Sequence, residues 1–241
     1  MKREHAKHHY RFFVDPDSIT GDIFISSDKD LINQIKNVFR LRKGDELVVL
    51  DGIGSEYSIA IEGIEKNKIS GTIKNKKFIE NKKKGKIRLM IPLIKNSNFD
   101  LILEKCTELG VDYFQPVICE RSIIRLNSGK ERWKKLLKEA SEQSGRFYLP
   151  EISDPISLSE AVKIFKKETC VVAYEEVETR AKDIKISSDI INIFIGPEGG
   201  FSEKELKIFK DNSFSFFGIN KNVLRSETAC IVSVGIFAEL C

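Results

Sequence analysis

Two turns near the C-terminal end of the chain carry residue types that can do chemistry. The first is Gly196-Pro197-Glu198-Gly199-Gly200, inside IFIGPEGGFSEKEL, 193–206. Three glycines let a ligand approach the backbone and permit positive φ. Pro197 fixes one φ and removes one donor. Glu198 puts a carboxylate in the turn, which disfavours a phosphate and suits ribose hydroxyls or a cation. A P-loop needs Lys and then Ser or Thr after its last glycine; here Phe201 follows. A tight structural turn is the competing reading. The second is GINKNVLRSETA, 218–229. A polar turn runs into Val-Leu, then Arg-Ser-Glu-Thr, then an apolar helix whose first N–H groups are free for a ligand. Ser226 or Thr228 as a helix cap, and Arg225 with Glu227 as a surface pair, are the plain structural alternatives.

Three arginines form a third group. Arg121 and Arg125 lie in ERSIIR, 120–125, and Arg146 closes EQSGR, 142–146. Guanidinium suits bidentate phosphate contact and base stacking, whereas solvated surface charge is the bland reading. The three histidines, His5, His8 and His9, stand near the start. Adjacent His8 and His9 point to opposite sides of an extended chain, and no Asp or Glu spacing completes a metal site. No metal is expected. The five cysteines show no paired spacing, which argues against a disulfide framework and a zinc site.

These residues need elements to position them. Residues 8 to about 73 read as short strands divided by turns: 10–14, 22–25, 46–50, 56–64 and 68–73. One helical interlude spans 29–39, with Ile32, Ile35 and Phe39 on one face. Many short strands suggest a small barrel. KNKKFIENKKKGK, 74–86, holds seven lysines and one glutamate. Such a run stays extended as a solvated linker or hairpin tip and marks the expected domain boundary. From Ile87 onward apolar runs alternate with amphipathic helices. Strands are expected at 87–93, 114–118, 170–174, 190–195 and 214–219. Helices are expected from Asn98 to Gly110, over 131–144, from Ser202, and over 227–241. Ser202 and Glu205 have the capping-box spacing. The last helix is apolar nearly all round, so it belongs in a core or a subunit interface. The alternation predicts a mostly parallel α/β sheet, with ligands beyond the carboxyl ends of the strands.

Net charge is +4 from 40 Lys and Arg against 36 Asp and Glu. Residues 1–86 hold 18 of the basic and 13 of the acidic groups. A basic first third suggests an anionic partner for that part. No apolar run approaches the roughly 20 residues of a membrane span. The stretch MKREHAKHHYRFFVD lacks a signal peptide's apolar h-region. A cytoplasmic location and no membrane partner are therefore expected.

Taken together, IGPEGGFSEKEL and VLRSETA resemble the RsmE branch of the SPOUT methyltransferases, the 16S ribosomal RNA uracil-N3 methyltransferases. HHYRFFV and VFRLRKGDELVVLDGIG are similar to that family's N-terminal PUA-like barrel. FDLILEKCTELGVDYFQPV, the ERS of Glu120–Ser122, and EASEQSGR match further segments in order. The resemblance covers nearly the whole chain. It implies a PUA-like RNA-binding β-barrel over 1–73, the Lys-rich linker, and a SPOUT α/β domain over 87–241 with a deep trefoil knot at about 190–241, an exception to the un-knotted rule. It implies S-adenosyl-L-methionine as cofactor, held by Ile195, Gly196, Pro197, Glu198, Gly199, Gly200, Ile219, Asn220, Val223, Leu224, Arg225 and Thr228. It also implies a homodimer and a substrate uridine in 16S rRNA, within the 30S subunit. Arg11, Arg40, Arg42, Arg121, Arg125 and Arg146 are the expected RNA contacts. The chain departs from the family pattern where Asn220-Lys221-Asn222 replace Gly-Pro-Arg, Phe147 replaces Asn and Gln34 replaces His.

Methylation at N3 requires an unpaired base turned into a pocket and stabilisation of negative charge on the uracil edge. Arg121 and Arg146 are the catalytic candidates, with Arg11 reaching from the barrel and Arg225 as a substitute. Glu198 or Glu227 is the candidate proton acceptor. Methylation of another base or position, and a non-catalytic RNA-binding protein, are the alternatives. A nucleotide-binding oxidoreductase is disfavoured because G-x-G-x-x-G is missing after the first strand.

Overall fold

The computed structural model describes residues 10–81, 83–122 and 129–240. The chain forms two compact units. The first takes residues 1–81 and Gly145–Leu149, and the second takes 82–144 and 150–241.

Unit one holds strands β1 (Arg11–Phe13), β2 (Ile19–Thr20), β3 (Ile23–Ser26), β4 (Glu46–Leu50), β5 (Ser55–Ile64) and β6 (Ile69–Phe78). Their order is β1-β4-β5-β6-β3-β2. β1 runs parallel to β4 and the other pairs are antiparallel. Alternation decides the core. Leu47 and Val49 of β4, with Tyr57, Ile59 and Ile61 of β5, point to one side, where Phe12, Phe24, Leu31 and Ile35 join them. Helix α1 (Lys29–Asn33) starts at Asp28, whose carboxylate accepts from the N–H groups of Asp30 and Leu31. It continues as a wider π-helical turn over Gln34–Val38. The lysine run corrects one expectation: Lys74–Phe78 is not linker but the second half of β6, paired with β5. Ladder hydrogen bonds hold it while its side chains face water.

The segment Gly145–Leu149 completes unit one. Tyr148 forms a bridge with Ile53, and its hydroxyl donates to Ile79 O at 2.8 Å. Leu149 N donates to Gly52 O at 3.1 Å. Arg11 lies 4.5 Å over the Phe147 ring and pairs with Glu56 at 2.8 Å.

Unit two is an α/β sheet with every pair parallel. Its strands are β7 (Lys86–Pro92), β8 (Tyr113–Ile118), β9 (Glu151–Ile152), β10 (Ile156–Ser157), β11 (Thr169–Ala173), β12 (Ile190–Phe194) and β13 (Ser215–Phe217). The order is β10-β8-β7-β12-β11-β13, with β9 also on β8. Helices α2 (Asn96–Glu108), α3 (Lys130–Ser144) and α6 (Ser226–Ala238) share one core with Leu89, Ile91, Ile191 and Ile193. Helices α4 (Leu158–Phe165) and α5 (Glu203–Asp211) share the other with Met90, Val172 and Phe194. Successive strand residues thus feed opposite layers, as the two-residue period of a sheet requires. Asn98 does not cap α2 as expected. The helix begins earlier, behind Lys95, without a side-chain cap bond. β9, β10 and α4 are additions to the expected elements.

Candidate functional site

β12 ends at Phe194 in the middle of the parallel sheet, and the glycine turn begins two residues later. Gly200 N donates to Pro197 O at 2.8 Å, closing the turn, and Gly200 sits at φ +68. That left-handed conformation strains any residue with a Cβ. Behind the turn, Phe201 packs edge-on against Phe209 with centroids 5.0 Å apart, and Phe209 meets Phe194 at 5.3 Å. This aromatic block gives the turn a rigid back.

The expected capping box is present. Ser202 Oγ accepts from Glu205 N at 3.2 Å, and Glu205 Oε2 accepts from Ser202 N at 2.8 Å. Glu205 has a second task. It is buried, and its Oε1 accepts from Glu120 N at 2.8 Å. That bond ties the loop after β8 to the start of α5. Ser122 tightens the same loop: its Oγ accepts from Cys119 N, and its own N–H donates to Cys119 O. A bond to Ser202, aided by Lys204, holds the Glu120 carboxyl below the usual carboxylate range.

Arg121 is thereby brought to the glycine turn. Its Nη1 donates to Gly199 O at 2.8 Å. A Cβ on Gly199 would stand 3.3 Å from Arg121 Cβ, so glycine permits this approach. The two candidate turns are joined directly. Ser226 Oγ donates to Gly196 O at 2.8 Å. Ser226 is therefore the first helical residue and a tether between the turns, not the cap; Arg225 occupies the cap position without a side-chain bond.

Between the turns lies a cavity of about 260 Å³. Its walls include Ile195, Gly196, Pro197, Glu198, Gly199, Gly200, Ile219, Asn220, Val223 and Leu224, together with Arg121. Arg225 and Thr228 are not among the described lining residues. Arg146 and Arg11 belong to unit one, where Arg146 Nε donates to Tyr148 O at 3.1 Å. Arg40 and Arg42 are also in unit one, Arg40 at φ +57 and Arg42 N–H bonded to Asp45. Arg125 and the histidines lie outside the described residues.

Sequence reasoning missed part of the wall. Tyr174, Glu175 and Glu176 follow β11 and line the cavity. The signal was available, because Tyr174 closes an expected strand, 170–174, and Glu175 and Glu176 stand directly beyond its carboxyl end. Tyr174 Oη donates to Glu176 Oε2 at 2.8 Å. This bond, then partial burial, pushes the phenol up to about 12.

The chemistry of the walls fits S-adenosyl-L-methionine. Among the described residues that line the cavity, Arg121 is the one cation, and it is bonded to Gly199 O. Three carboxylates (Glu175, Glu176 and Glu198) suit a ligand bearing a sulfonium and an ammonium. Apolar Ile195, Ile219 and Leu224 offer a surface for a nucleoside. Among the described residues no cluster of His, Cys, Asp and Glu could hold a metal ion.

Comparison with known proteins places the chain in a family. Residues 80–238 match the RNA methyltransferase domain family, and residues 28–74 match the RNA methyltransferase PUA domain family. A ribosomal RNA small subunit methyltransferase E of Synechocystis sp. is 30% identical over 235 residues, 93% of this chain and 76% of that protein. The Bacillus subtilis protein of the same name is 30% identical over 213 residues, 82% of this chain and 83% of that relative. The crystal structure of a ribosomal RNA small subunit methyltransferase E from Neisseria gonorrhoeae bound to S-adenosyl methionine matches with a TM-score of 0.87 at 28% identity. It covers 97% of this chain and 98% of that one. With its glycine turn, its tethered final helix and its PUA segment, the chain belongs to the ribosomal RNA small subunit methyltransferase E family.

Proposed function

We propose that this protein methylates N3 of one uridine in 16S rRNA of the small ribosomal subunit, using S-adenosyl-L-methionine. The observation that carries the reading is the union of the two turns: Ser226 bonded to Gly196, and Arg121 bonded to Gly199, around one cavity. When bound there, the cofactor supplies an electrophilic methyl group. Gly196–Gly200 and Ile219–Leu224 hold it, and Glu175, Glu176 and Glu198 balance its positive charge. Arg121 keeps donors free beyond its bond to Gly199. They stabilise negative charge on the O2/N3/O4 edge of a uracil. Glu198, exposed at the rim, takes up the N3 proton directly or through water. Arg146 and Arg225 are secondary candidates for the anionic edge. Arg11, Arg40, Arg42 and Arg125 bind the RNA backbone.

Mass spectrometry of 16S rRNA from a strain lacking the gene, with and without its restoration, tests the reaction. Loss and return of one methyluridine is the expected result; an unchanged uridine profile would refute it. Purified chain offered naked 16S rRNA and 30S subunits tests the substrate, with 30S expected to be preferred. Wild-type activity and wild-type cofactor affinity in R121A would remove Arg121 from the mechanism.

The proposal includes a cytoplasmic homodimer. Its support is α6, which leaves Val232 exposed and Ile231 and Ile236 half-buried. Light scattering that gives a monomer at micromolar concentration would exclude it. It also includes a trefoil knot near residues 190–241. β12 enters between β7 and β11, while α6 packs back against α2. Threading predicts slow refolding that prolyl isomerase does not accelerate; refolding within milliseconds would argue against the knot.

A further inference from the structure

We propose that the segment Tyr174–Arg180 is a strap that shapes the cofactor turn, with Arg180 as its positioning residue. The inference rests on the reading above for the identity of the ligand. β11 and β13 are neighbouring parallel strands ending at Ala173 and Phe217. The chain leaving β11 stays on top of the chain leaving β13. Tyr174 N donates to Phe217 O at 3.0 Å, and Gly218 N donates to Thr179 O at 2.9 Å. The strap lies so close that a Cβ on Gly218 would stand 2.2 Å from Val177 O.

Arg180 then reaches across. Its Nη1 donates to Gly218 O at 3.2 Å and to Ile219 O at 3.1 Å. The far end of the strap is fixed independently, because Asp183 Oδ2 accepts from Arg180 N and Ala181 is buried in the core. The turn it grips has little else to define it. Residues 218–225 form no helix or strand. Within them Asn220 Oδ1 accepts from Asn222 N at 2.8 Å, and Val223 is 80% exposed. Each unrestrained residue loses backbone entropy when a ligand orders it. A planar guanidinium bridging two successive carbonyls orders the turn in advance. Ile219 and Asn220 line the cavity, so the effect falls on the cofactor and not on RNA.

The test uses full-length R180A and R180K. Hydrogen exchange of residues 219–224 is measured without ligand, alongside S-adenosylmethionine binding by calorimetry and steady-state methylation of 30S subunits. We expect faster exchange in R180A, with Kd and KM for S-adenosylmethionine raised about tenfold. The kcat and the KM for RNA should stay within about threefold of wild type. R180K, with a point donor in place of the fork, should recover part of the loss. Unchanged exchange, or cofactor and RNA parameters falling together, would overturn the proposal. If R180A does not fold, R180Q, which keeps an amide donor but not the fork, replaces it: faster exchange of residues 219–224 and weaker S-adenosylmethionine binding are expected, and unchanged exchange overturns the proposal. Exchange needs no ligand, so a wild-type chain that fails to bind S-adenosylmethionine sinks the proposed cofactor, while faster exchange in R180A still upholds the strap.

Discussion

Glu205→Gln is the most informative single change in the methyltransferase unit. The wild-type carboxylate sits 5% exposed and accepts two backbone N–H groups, Ser202 at 2.8 Å and Glu120 at 2.8 Å. A hydrogen bond to a charged group contributes about 1.5–3 kcal/mol, and an orphaned buried donor costs about 1–3 kcal/mol. The amide of glutamine has one oxygen, so one of the two donors must face an NH2 group. We expect a loss of about 2–4 kcal/mol in the unfolding of this unit, equivalent to about 4–16 °C in Tm for a unit of this size. Glu205→Ala leaves both donors bare and should cost more. The functional consequence follows the Glu120 bond. When it weakens, the loop carrying Arg121 loses its anchor to α5, and the Arg121–Gly199 contact loosens. Urea unfolding followed by Trp133 fluorescence, the only tryptophan, reads the stability, and calorimetry reads the cofactor. E205Q unfolding within about 0.5 kcal/mol of wild type, the range of neutral surface changes, would refute the reasoning.

Other outcomes follow from the same geometry. Gly218→Ala forces its Cβ onto Val177 O, 2.2 Å away; it should destabilise by about 1–3 kcal/mol and weaken cofactor binding in calorimetry. Tyr174 is held neutral to about 12 by Glu176. Its contribution is therefore complete below the unfolded-state value of about 10, and it is lost as pH rises from there through about 12. Y174F should flatten that part of a stability–pH curve. Burial pushes the Cys119 and Cys170 thiols up to about 12 and raises Cys106 and Cys230 as well. A C241S chain should then react with a thiol reagent near pH 8 only after denaturation, because the thiolate is the nucleophile; native labelling of Cys119 at a free-thiol rate would contradict the burial.

Local chemistry was legible in the sequence; the contacts that cross the fold were not. β4 occupies its expected residues, 46–50, because alternation and flanking turns act within a few positions. The capping box of α5 was legible for the same reason. Helix α4 also had a signal, with Leu158, Ala161, Val162 and Phe165 at helical spacing behind Ser157. β9 and β10 are two residues each, too short to show a period. Lysines concealed the end of β6, since charge says nothing about a ladder whose side chains face water. Within the site, the turns could be found because each stands between an expected strand and an expected helix, at the carboxyl end of a parallel sheet. The bonds from Arg121 to Gly199, Ser226 to Gly196 and Arg180 to Ile219 span 78, 30 and 39 residues. No spacing rule encodes contacts at such separations.

The return of Gly145–Leu149 to unit one bears on how the protein is made. Synthesis delivers the residues up to 81 first, with the edge at Ile53, the Ile79 carbonyl and the Arg11 guanidinium still lacking Tyr148 and Phe147. Those partners emerge only after α2, β8 and α3 have been translated. At about 5–20 residues per second, the first unit waits several seconds for its last five residues. Neither unit is a cassette that can be cut out at one point and moved to another protein. A chain ending at 81 would display that unfinished edge to the nascent-chain environment, and its solubility would depend on the missing pentapeptide.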